Sequence, residues 1–427
     1  MNNNFKRVAF FIRAYNDVDH FVPLIKEFII KNENPIIVIN TNLDIDSDYR
    51  FIYLKSLGNL EIIRDIDIEY VKFSSNKGFF HTFFKKIYFL KRNRNKLLGK
   101  IYRYLFFDCK KEIEFLKFHN IGICAFEWST PYARGELVER YFFAAKGIGV
   151  TTIALPHGCN IFLNSDVTIG YRGLIEKGRI PDQSERNLFD YYIFQNPIRR
   201  DGWIKWGYDS IKTQAWGSLR FYPEWASINR EICPKFKFKE DTVKKLKVVF
   251  MQFQKEYNIK NELIFDSLKN ISFLDNILLT VKDATREGKE YYDRNSKANN
   301  LGKALVGWYG NEVHSPALID WADIVIVIGG SIGIEAILQD KTLIYPLYLN
   351  SNSTLYEFFQ AAHCPKSYEE LEELLVGKNN GKNLPKLDGA NKLIKEIVYA
   401  GKEEFNVPQK YYDEFKKLNL NYGKTIS

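Results

Sequence analysis

The chain has 427 residues, of which 45% are hydrophobic and 26% charged, and it carries a formal net charge of +9. That length accommodates two domains with large buried cores. The positive net charge suits an anionic partner such as nucleic acid, a phosphorylated ligand or a membrane surface. Because no run reaches the ~20 apolar residues that a spanning helix needs, and the five cysteines include no CxxC pair, the composition argues against a transmembrane segment, a structural zinc site and a disulfide scaffold.

The first half of the chain alternates strand-like and helix-like patterns. We expect buried strands at 7–15, 35–41, 121–128, 150–156 and 191–195, and helices at 19–32 and 134–149. Because a strand, a helix and a second strand follow one another within the first 41 residues, they form a βαβ unit. A parallel sheet therefore opens the chain.

The same alternation restarts after a polar segment of weak periodicity, 226–245, which we interpret as a linker. Strands are expected at 246–254, 276–283, 304–308, 322–329 and 342–349, and helices at 262–271, 331–339 and 354–362. Two consecutive blocks of this kind predict an α/β fold with two Rossmann-like, doubly wound domains that face each other across a cleft. The domains are expected at 1–225 and 246–405, with a C-terminal helix or tail at 406–427.

The clearest candidate site is the segment "ADIVIVIGGSIGIEAILQDKTLIYPLY" at 322–348. A β-branched strand stops at Gly329, Gly330 and Ser331, and a helix follows from Ile332. Ligands of parallel sheets bind where strands end and helices begin, and glycines let a ligand approach the backbone. Ser331 is expected to cap the helix or to donate to a phosphate oxygen. Glu335, four residues further on, lies on the same helix face and is expected to accept hydrogen bonds from ribose or sugar hydroxyls.

This segment resembles the donor-binding domain of GT-B glycosyltransferases, especially bacterial surface-polysaccharide transferases and the CDP-glycerol glycerophosphotransferases of teichoic acid synthesis. The matching features are Asp323, the turn at 329–331, the pair Glu335-Ala336 and "DKTLIYP". The stretches "IALPHG" (153–158) and "WGSLRF" (216–221) are similar to motifs of the first domain in that superfamily. The resemblance implies a GT-B fold and a nucleotide-sugar substrate, with no cofactor and no bound metal.

The chain departs from this family at one element of the donor domain. The relatives often carry Lys-x-His-Pro after the second strand, whereas here Lys282 is followed by Asp283 and no histidine. We expect Lys282 to be retained as a donor contact and His314, in the next loop, to supply the missing histidine. Arg220 in "GSLRF" is expected to reach the donor phosphates from across the cleft.

The candidate catalytic residues of the first domain follow strands that end at the cleft. His157 precedes a glycine at a strand end, and a neutral imidazole there suits a general base for an acceptor hydroxyl. Glu127 either orients His157 or acts as the base itself, and Asp17 is a third candidate. Asp19 is expected to cap a helix or to bind acceptor hydroxyls, and Arg134 to meet an acceptor phosphate.

A basic aromatic segment at 79–107 reads "FFHTFFKKIYFLKRNRNKLLGKIYRYLFF" and contains eight lysines and arginines but no acidic residue. This composition is typical of a helix that lies on an anionic bilayer, although nucleic-acid binding and an ordinary core-facing helix are alternatives. Since no nucleic-acid motif accompanies it, we expect an anionic membrane surface as partner and no nucleic acid. The protein is thus expected to be cytoplasmic and peripheral to the inner face of the membrane.

These features favour a metal-independent glycosyltransferase that moves a sugar from a nucleotide donor, with CMP as one candidate nucleotide, to a lipid-linked or growing bacterial surface glycan such as an O-antigen or a capsule. Three alternatives remain open. They are a polyol-phosphate transferase of the CDP-glycerol type, a UDP-sugar 2-epimerase, and a non-catalytic scaffold that binds glycan or lipid on the same fold.

Overall fold

The computed structural model describes residues 6–13, 15–39, 43–58, 60–64, 109–128, 136–156, 158, 161–163, 169–237, 245–253, 257–283, 298–310, 312–385 and 387–420. Within these ranges, no helix combines the length and the apolar character that crossing a bilayer requires.

The first domain contains a sheet of seven parallel strands. In chain order they are β1 (Arg7–Ile12), β2 (Ile36–Ile39), β3 (Glu61–Arg64), β4 (Ile121–Glu127), β5 (Thr151–Leu155), β6 (Tyr191–Phe194) and β7 (Thr213–Ala215). Their order in the sheet is β3-β2-β1-β4-β5-β6-β7. The central strands are continuous apolar runs because helices cover both faces of the sheet.

The second domain repeats this construction with five parallel strands. They are β8 (Leu246–Met251), β9 (Ile277–Lys282), β10 (Leu305–Tyr309), β11 (Ile324–Val327) and β12 (Thr342–Ile344), arranged as β10-β9-β8-β11-β12. In each sheet the strand order reverses beside a central strand, which is the topological switch where open α/β sheets bind ligands. The prediction of two Rossmann-like, doubly wound domains is confirmed.

Helices connect the strands of both domains. Those before the second sheet are α1 (Tyr15–Ile30), α2 (Tyr49–Leu57), α3 (Lys110–Phe118), α4 (Glu136–Gly147), α5 (Ile169–Ile175), α6 (Pro197–Ile204) and α7 (Pro223–Ile232). Those that follow are α8 (Asn261–Ser272), α9 (Ser315–Trp321), α10 (Ile332–Leu338), α11 (Leu355–Phe358), α12 (Tyr368–Asn379), α13 (Gly389–Val398) and α14 (Val407–Leu420).

Several sequence-based boundaries differ from the structure. The expected linker at 226–245 is helical as far as Ile232, because Pro223 starts helix α7 and Trp225 packs into the core. The strand expected at 342–349 ends at Ile344, and a 3₁₀ turn follows at Leu347–Leu349. The helix expected at 354–362 covers only Leu355–Phe358.

The C-terminal helix α14 returns to the first domain. Its Phe415 lies 6.3 Å from Phe10 of β1 and 5.9 Å from Phe28 of α1, measured between ring centroids. The Tyr411 hydroxyl donates a 3.0 Å hydrogen bond to the Gly217 carbonyl. The chain therefore crosses between the domains twice, once before β8 and once before α14.

Candidate functional site

The Gly-Gly-Ser turn joins β11 to α10 at the carboxyl edge of the second sheet. Gly329 lies against the ring of Phe253, and a Cβ added at Gly329 would come within 2.6 Å of that ring. The Tyr356 hydroxyl donates a 2.9 Å hydrogen bond to the Gly330 carbonyl and so fixes the backbone of the turn. A glycine is therefore needed where the backbone meets the ring, at the edge where parallel sheets bind ligands.

Ser331 ends this turn and faces the first domain. Its side chain makes no capping hydrogen bond to α10, so the expected helix cap is not formed. A Cβ added at Gly158, which has φ +47°, would lie 3.6 Å from the Ser331 hydroxyl oxygen. The turn after β5 in the first domain and the turn before Ile332 in the second thus meet across the cleft.

Glu335 lies one turn into α10 and is paired with Arg220 of the first domain. The Arg220 Nε and Nη2 groups donate to the same Glu335 oxygen at 2.9 and 2.5 Å. Burial raises the pKa of Glu335, while the nearby guanidinium lowers it. The two residues were predicted separately, one for hydroxyls and one for phosphates, and the structure brings them together as an ion pair between the domains.

Asp19 extends this pair into a longer chain of alternating charges. Its carboxylate lies 3.0 Å from Arg220 Nη1 and also pairs with Arg50, which in turn contacts Asp48 at 2.6 and 2.9 Å. Burial would raise the pKa of Asp48, but its hydrogen bonds to Arg50 outweigh burial and lower it. We call Glu335, Arg220, Asp19, Arg50 and Asp48 the interdomain ion chain. Asp19 is the fifth residue of α1 and so is not placed to cap that helix, and its carboxylate is engaged by two arginines.

His314 lies beside the interdomain ion chain, at the start of α9. Its ring centroid is 4.9 Å from that of Tyr49 in the first domain. Burial, followed by the charge of Arg50, lowers the pKa of His314, which favours the neutral imidazole at pH 7. Lys282 also acts on this pKa, and its ammonium donates to the Gly310 carbonyl. The two residues expected at the donor site therefore lie near each other in the cleft.

The first-domain carboxylates gather around Arg13, at the end of β1. Glu127 forms an ion pair with the Arg13 guanidinium, and an Asp17 oxygen accepts a 2.8 Å hydrogen bond from the Arg13 backbone N–H. Asp17 lies in the first turn of α1, where an acidic side chain commonly accepts a hydrogen bond from a backbone N–H group. Both catalytic candidates are thus held by one arginine.

His20 of α1 was not recognised in the sequence. It is 2% exposed, and its Nε2 accepts a hydrogen bond from the Gly158 backbone N–H. An imidazole in the middle of an apolar helix gives no signal in the sequence that it reaches a loop 138 residues away. Three predicted features, His157, Arg134 and the basic segment at 79–107, lie outside the described residues.

Arg50 and Asp48 were also missed, although part of their context is readable. Asp48 before an apolar run and Gly58 after it are typical signals for the start and end of a helix, and α2 occupies that span. Nothing in the sequence indicates which acidic groups would meet Arg50. Among the described residues, no group of three or more His, Cys, Asp or Glu side chains is placed to hold a metal ion.

Comparison with protein-family models finds no match, and comparison with curated proteins finds none either. Solved structures do match over nearly the full length. The S. aureus MnaA–UDP complex has a TM-score of 0.56 and 13% identity, and covers 96% of this chain and 97% of its own. The Neisseria meningitidis UDP-GlcNAc 2-epimerase bound to UDP-GlcNAc has a TM-score of 0.56 and 9% identity, with 96% and 100% covered. A glycosyltransferase from Rickettsia africae ESF-5 has a TM-score of 0.54 and 13% identity, with 97% and 99% covered.

These likenesses cover both domains of the chain. Identities of 9 to 13% carry information about the fold alone. The chain has the GT-B architecture, with two Rossmann-like domains and a cleft between them. Glu335 and the Gly-Gly-Ser turn lie on one side of that cleft, and Arg220, Asp19 and Gly158 lie on the other.

Proposed function

We propose that the protein is a glycosyltransferase that moves a sugar from a nucleotide-sugar donor to a lipid-linked or growing bacterial surface glycan, such as an O-antigen or a capsule chain. The observation that carries this proposal is the Arg220–Glu335 pair beside the Gly-Gly-Ser turn. A carboxylate that suits ribose hydroxyls and a guanidinium that suits phosphate lie there within bonding distance. The solved complexes with UDP and with UDP-GlcNAc support a nucleotide-linked donor for this fold.

In this proposal the donor exchanges partners with the existing ion pair. The ribose hydroxyls donate to Glu335, and the released N–H groups of Arg220 donate to phosphate oxygens near the backbone of the turn. Asp19, at 3.0 Å from Arg220 Nη1, keeps the guanidinium in the cleft during the exchange. Lys282 and His314 are assigned to the same phosphates from the neighbouring strand and loop.

The reaction forms one bond and breaks another at the anomeric carbon. The acceptor hydroxyl attacks that carbon, its proton passes to a first-domain base, and the bond to the donor phosphate breaks. Arg220 stabilises the leaving phosphate anion. Because Glu127 and Asp17 are already engaged by the side chain and the backbone N–H of Arg13, we assign the proton to His157.

The acceptor is assigned to the first domain and the membrane. Polyprenyl-linked glycans carry phosphate, and Arg134 together with the basic segment 79–107 supplies cationic groups for that phosphate and for an anionic bilayer. This assignment places the protein at the inner face of the cytoplasmic membrane as a peripheral enzyme. Flotation with vesicles that contain anionic lipid is expected to recover the wild-type protein, and failure to float would remove the membrane from the proposal.

Nucleotide binding is tested by thermal unfolding with CMP, CDP, UDP, GDP and dTDP and their sugar conjugates. A ligand present at 100 times its Kd stabilises the folded protein by about 2.7 kcal/mol, so the correct nucleotide should raise Tm measurably. We expect Glu335→Gln to abolish most of that rise, because an amide is a poorer acceptor for the ribose diol.

The matched control is Glu403→Gln, since the Glu403 side chain is 91% exposed and far from the turn in sequence. This variant should respond to the nucleotide as the wild type does. If no nucleotide raises the Tm of the wild type, or if Glu335→Gln responds fully, the donor site is not at this turn.

A UDP-sugar 2-epimerase is the second candidate. The likeness to the Neisseria meningitidis UDP-GlcNAc 2-epimerase bound to UDP-GlcNAc favours it. The two activities differ in what happens to the sugar without an acceptor. An epimerase exchanges the hydrogen at C2 with solvent, so mass spectrometry of the donor after incubation in D₂O would reveal deuterium. We expect no exchange at C2 from this protein, and sugar transfer only when a glycan acceptor is present.

A further inference from the structure

The first domain reaches into the second through a short strand-like contact near the donor turn. The Leu163 N–H donates to the Ser353 carbonyl at 2.9 Å, and the Leu355 N–H donates to the Ile161 carbonyl at 2.8 Å. Phe162 and Thr354 face each other between these bonds as an isolated antiparallel bridge. Residues 161–163, which follow β5 of the first sheet, are therefore bonded to the second domain.

The Phe162 side chain completes this contact. It is 4% exposed, and its ring lies 5.9 Å from both Phe253 and Tyr257 of the second domain, measured between centroids. Phe253 and Tyr257 are themselves 4.9 Å apart. On the first-domain side, Arg199 Nη1 donates to the Phe162 carbonyl at 2.9 Å. Phe162 is thus held by its own domain through the backbone and by the other domain through its ring.

The ring that receives Phe162 is the one that supports the donor turn. Phe253 lies directly against Gly329, so that an added Cβ there would come within 2.6 Å of it. Gly158, four residues before Phe162, also faces this turn, because its Cβ position is 3.6 Å from the Ser331 hydroxyl. Gly158 therefore lies beside the donor turn at Ser331, and Phe162 reaches the turn through Phe253.

We propose that Phe162 is a positioning residue that couples the donor turn at 329–331 to the described first-domain residues beside it, Gly158 and 161–163. This inference rests on the proposed function, since it requires a nucleotide at the turn. A ligand that orders the turn orders Gly158 through Ser331 and orders Phe162 through Phe253. The residue immediately before Gly158 is His157, to which the proton transfer is assigned. Donor binding thus prepares the acceptor side for reaction.

Hydrogen–deuterium exchange tests this coupling on the full-length protein. The probes are UDP, CMP, a UDP-sugar and a CMP-sugar. In the wild type we expect nucleotide to slow exchange both in a peptide covering 324–338 and in one covering 158–163. In Phe162→Ala we expect the first peptide still to be protected and the second to lose its response. Phe162→Leu, which keeps an apolar side chain, should restore most of it and serves if the alanine variant folds poorly.

Steady-state kinetics, with kcat normalised to the folded fraction measured by circular dichroism, adds a measurement that loss of stability alone would not move. Phe162→Ala should leave the donor KM within about 2-fold of wild type and lower kcat by about 10- to 100-fold, the cost of a misplaced catalytic group. Phe273→Ala is the control, because Phe273 is 64% exposed in the same second domain and should change neither quantity.

The two proposals fail in different ways. Protection at 324–338 together with an unchanged response at 158–163 in Phe162→Ala would overturn the coupling and leave the donor site standing. A kcat of Phe162→Ala equal to wild type would overturn it as well. An absence of protection at 324–338 with every probe would overturn the donor site and, with it, the coupling.

Discussion

Replacing Arg220 by methionine is expected to lower the free energy of unfolding by about 3 kcal/mol at pH 8, the lower end of the cost of leaving a buried charge without its partner. Asp19 keeps Arg50 as a partner after this change, whereas Glu335, which is 6% exposed, loses both hydrogen bonds that Arg220 donates. Urea unfolding followed by circular dichroism measures the loss.

The loss should depend on pH in a direction that identifies Glu335 as its source. Burial raises the pKa of Glu335 even beside Arg220, and removing Arg220 raises it further. A carboxyl whose pKa is higher in the folded state than in the unfolded state binds more protons when folded, so stability falls as pH rises through that interval. The destabilisation by Arg220→Met should therefore be smaller at pH 5 than at pH 8.

Two further variants make this result specific. Arg220→Met combined with Glu335→Gln should recover most of the lost stability, since a neutral amide costs less to bury than an unpaired carboxylate. Arg200→Met is the matched control, because Arg200 pairs with its neighbour Asp201 at the surface and should cost 0 to about 1 kcal/mol. An equal loss for Arg200→Met and Arg220→Met, or the same loss at both pH values, would contradict the role given to Glu335.

Gly217→Ala is expected to have a second large effect, a loss of about 3 to 5 kcal/mol. Gly217 has φ +93°, where an L side chain is strained, and an added Cβ would overlap the carbonyl oxygen of Val398. That carbonyl accepts a 3.0 Å hydrogen bond from the Ser218 N–H, and Tyr411 donates to Gly217 itself. The backbone cannot move aside without breaking these bonds. Thermal unfolding would show the change as a lower Tm.

The loop of Gly217 also carries Arg220, so the same variant should weaken nucleotide binding. Gly202→Ala is its control. Gly202 lies in helix α6, is exposed, and an added Cβ would meet nothing within 4 Å. Because alanine loses less backbone entropy in a helix than glycine does, Gly202→Ala should raise stability by about 0.5–1 kcal/mol. A Tm for Gly217→Ala close to that of the wild type would show that the loop can relax.

Arg220 and Glu335 form one ion pair, whereas the sequence suggested a separate role for each. Arg220 and Glu335 are already partners in the described structure, so in the proposed function a donor would compete with their ion pair. Such competition would lower the apparent affinity for the nucleotide. The ion pair itself keeps two buried charges satisfied when no donor is bound.

The sequence alone determined the order and type of most elements. Apolar runs such as "RVAFFI" and "IVIV" are long enough to identify strands covered on both faces, and the helical spacing between them requires a parallel sheet. The same pattern located the Gly-Gly-Ser turn, because glycines at a strand end are a local signal. Local chemistry also placed Glu335 on the helix that follows.

Only the tertiary structure decided which side chains meet across the cleft. Arg220 and Glu335 are 115 residues apart, and Phe162 forms an isolated bridge with Thr354 of the other domain. No periodicity, spacing or composition in the sequence indicates either contact. Each depends on how the two domains pack against each other, and that arrangement rests on the core they share and on helix α14 rather than on the residues nearby in sequence. The local turn is therefore predictable from its own residues, whereas the partners of that turn are not.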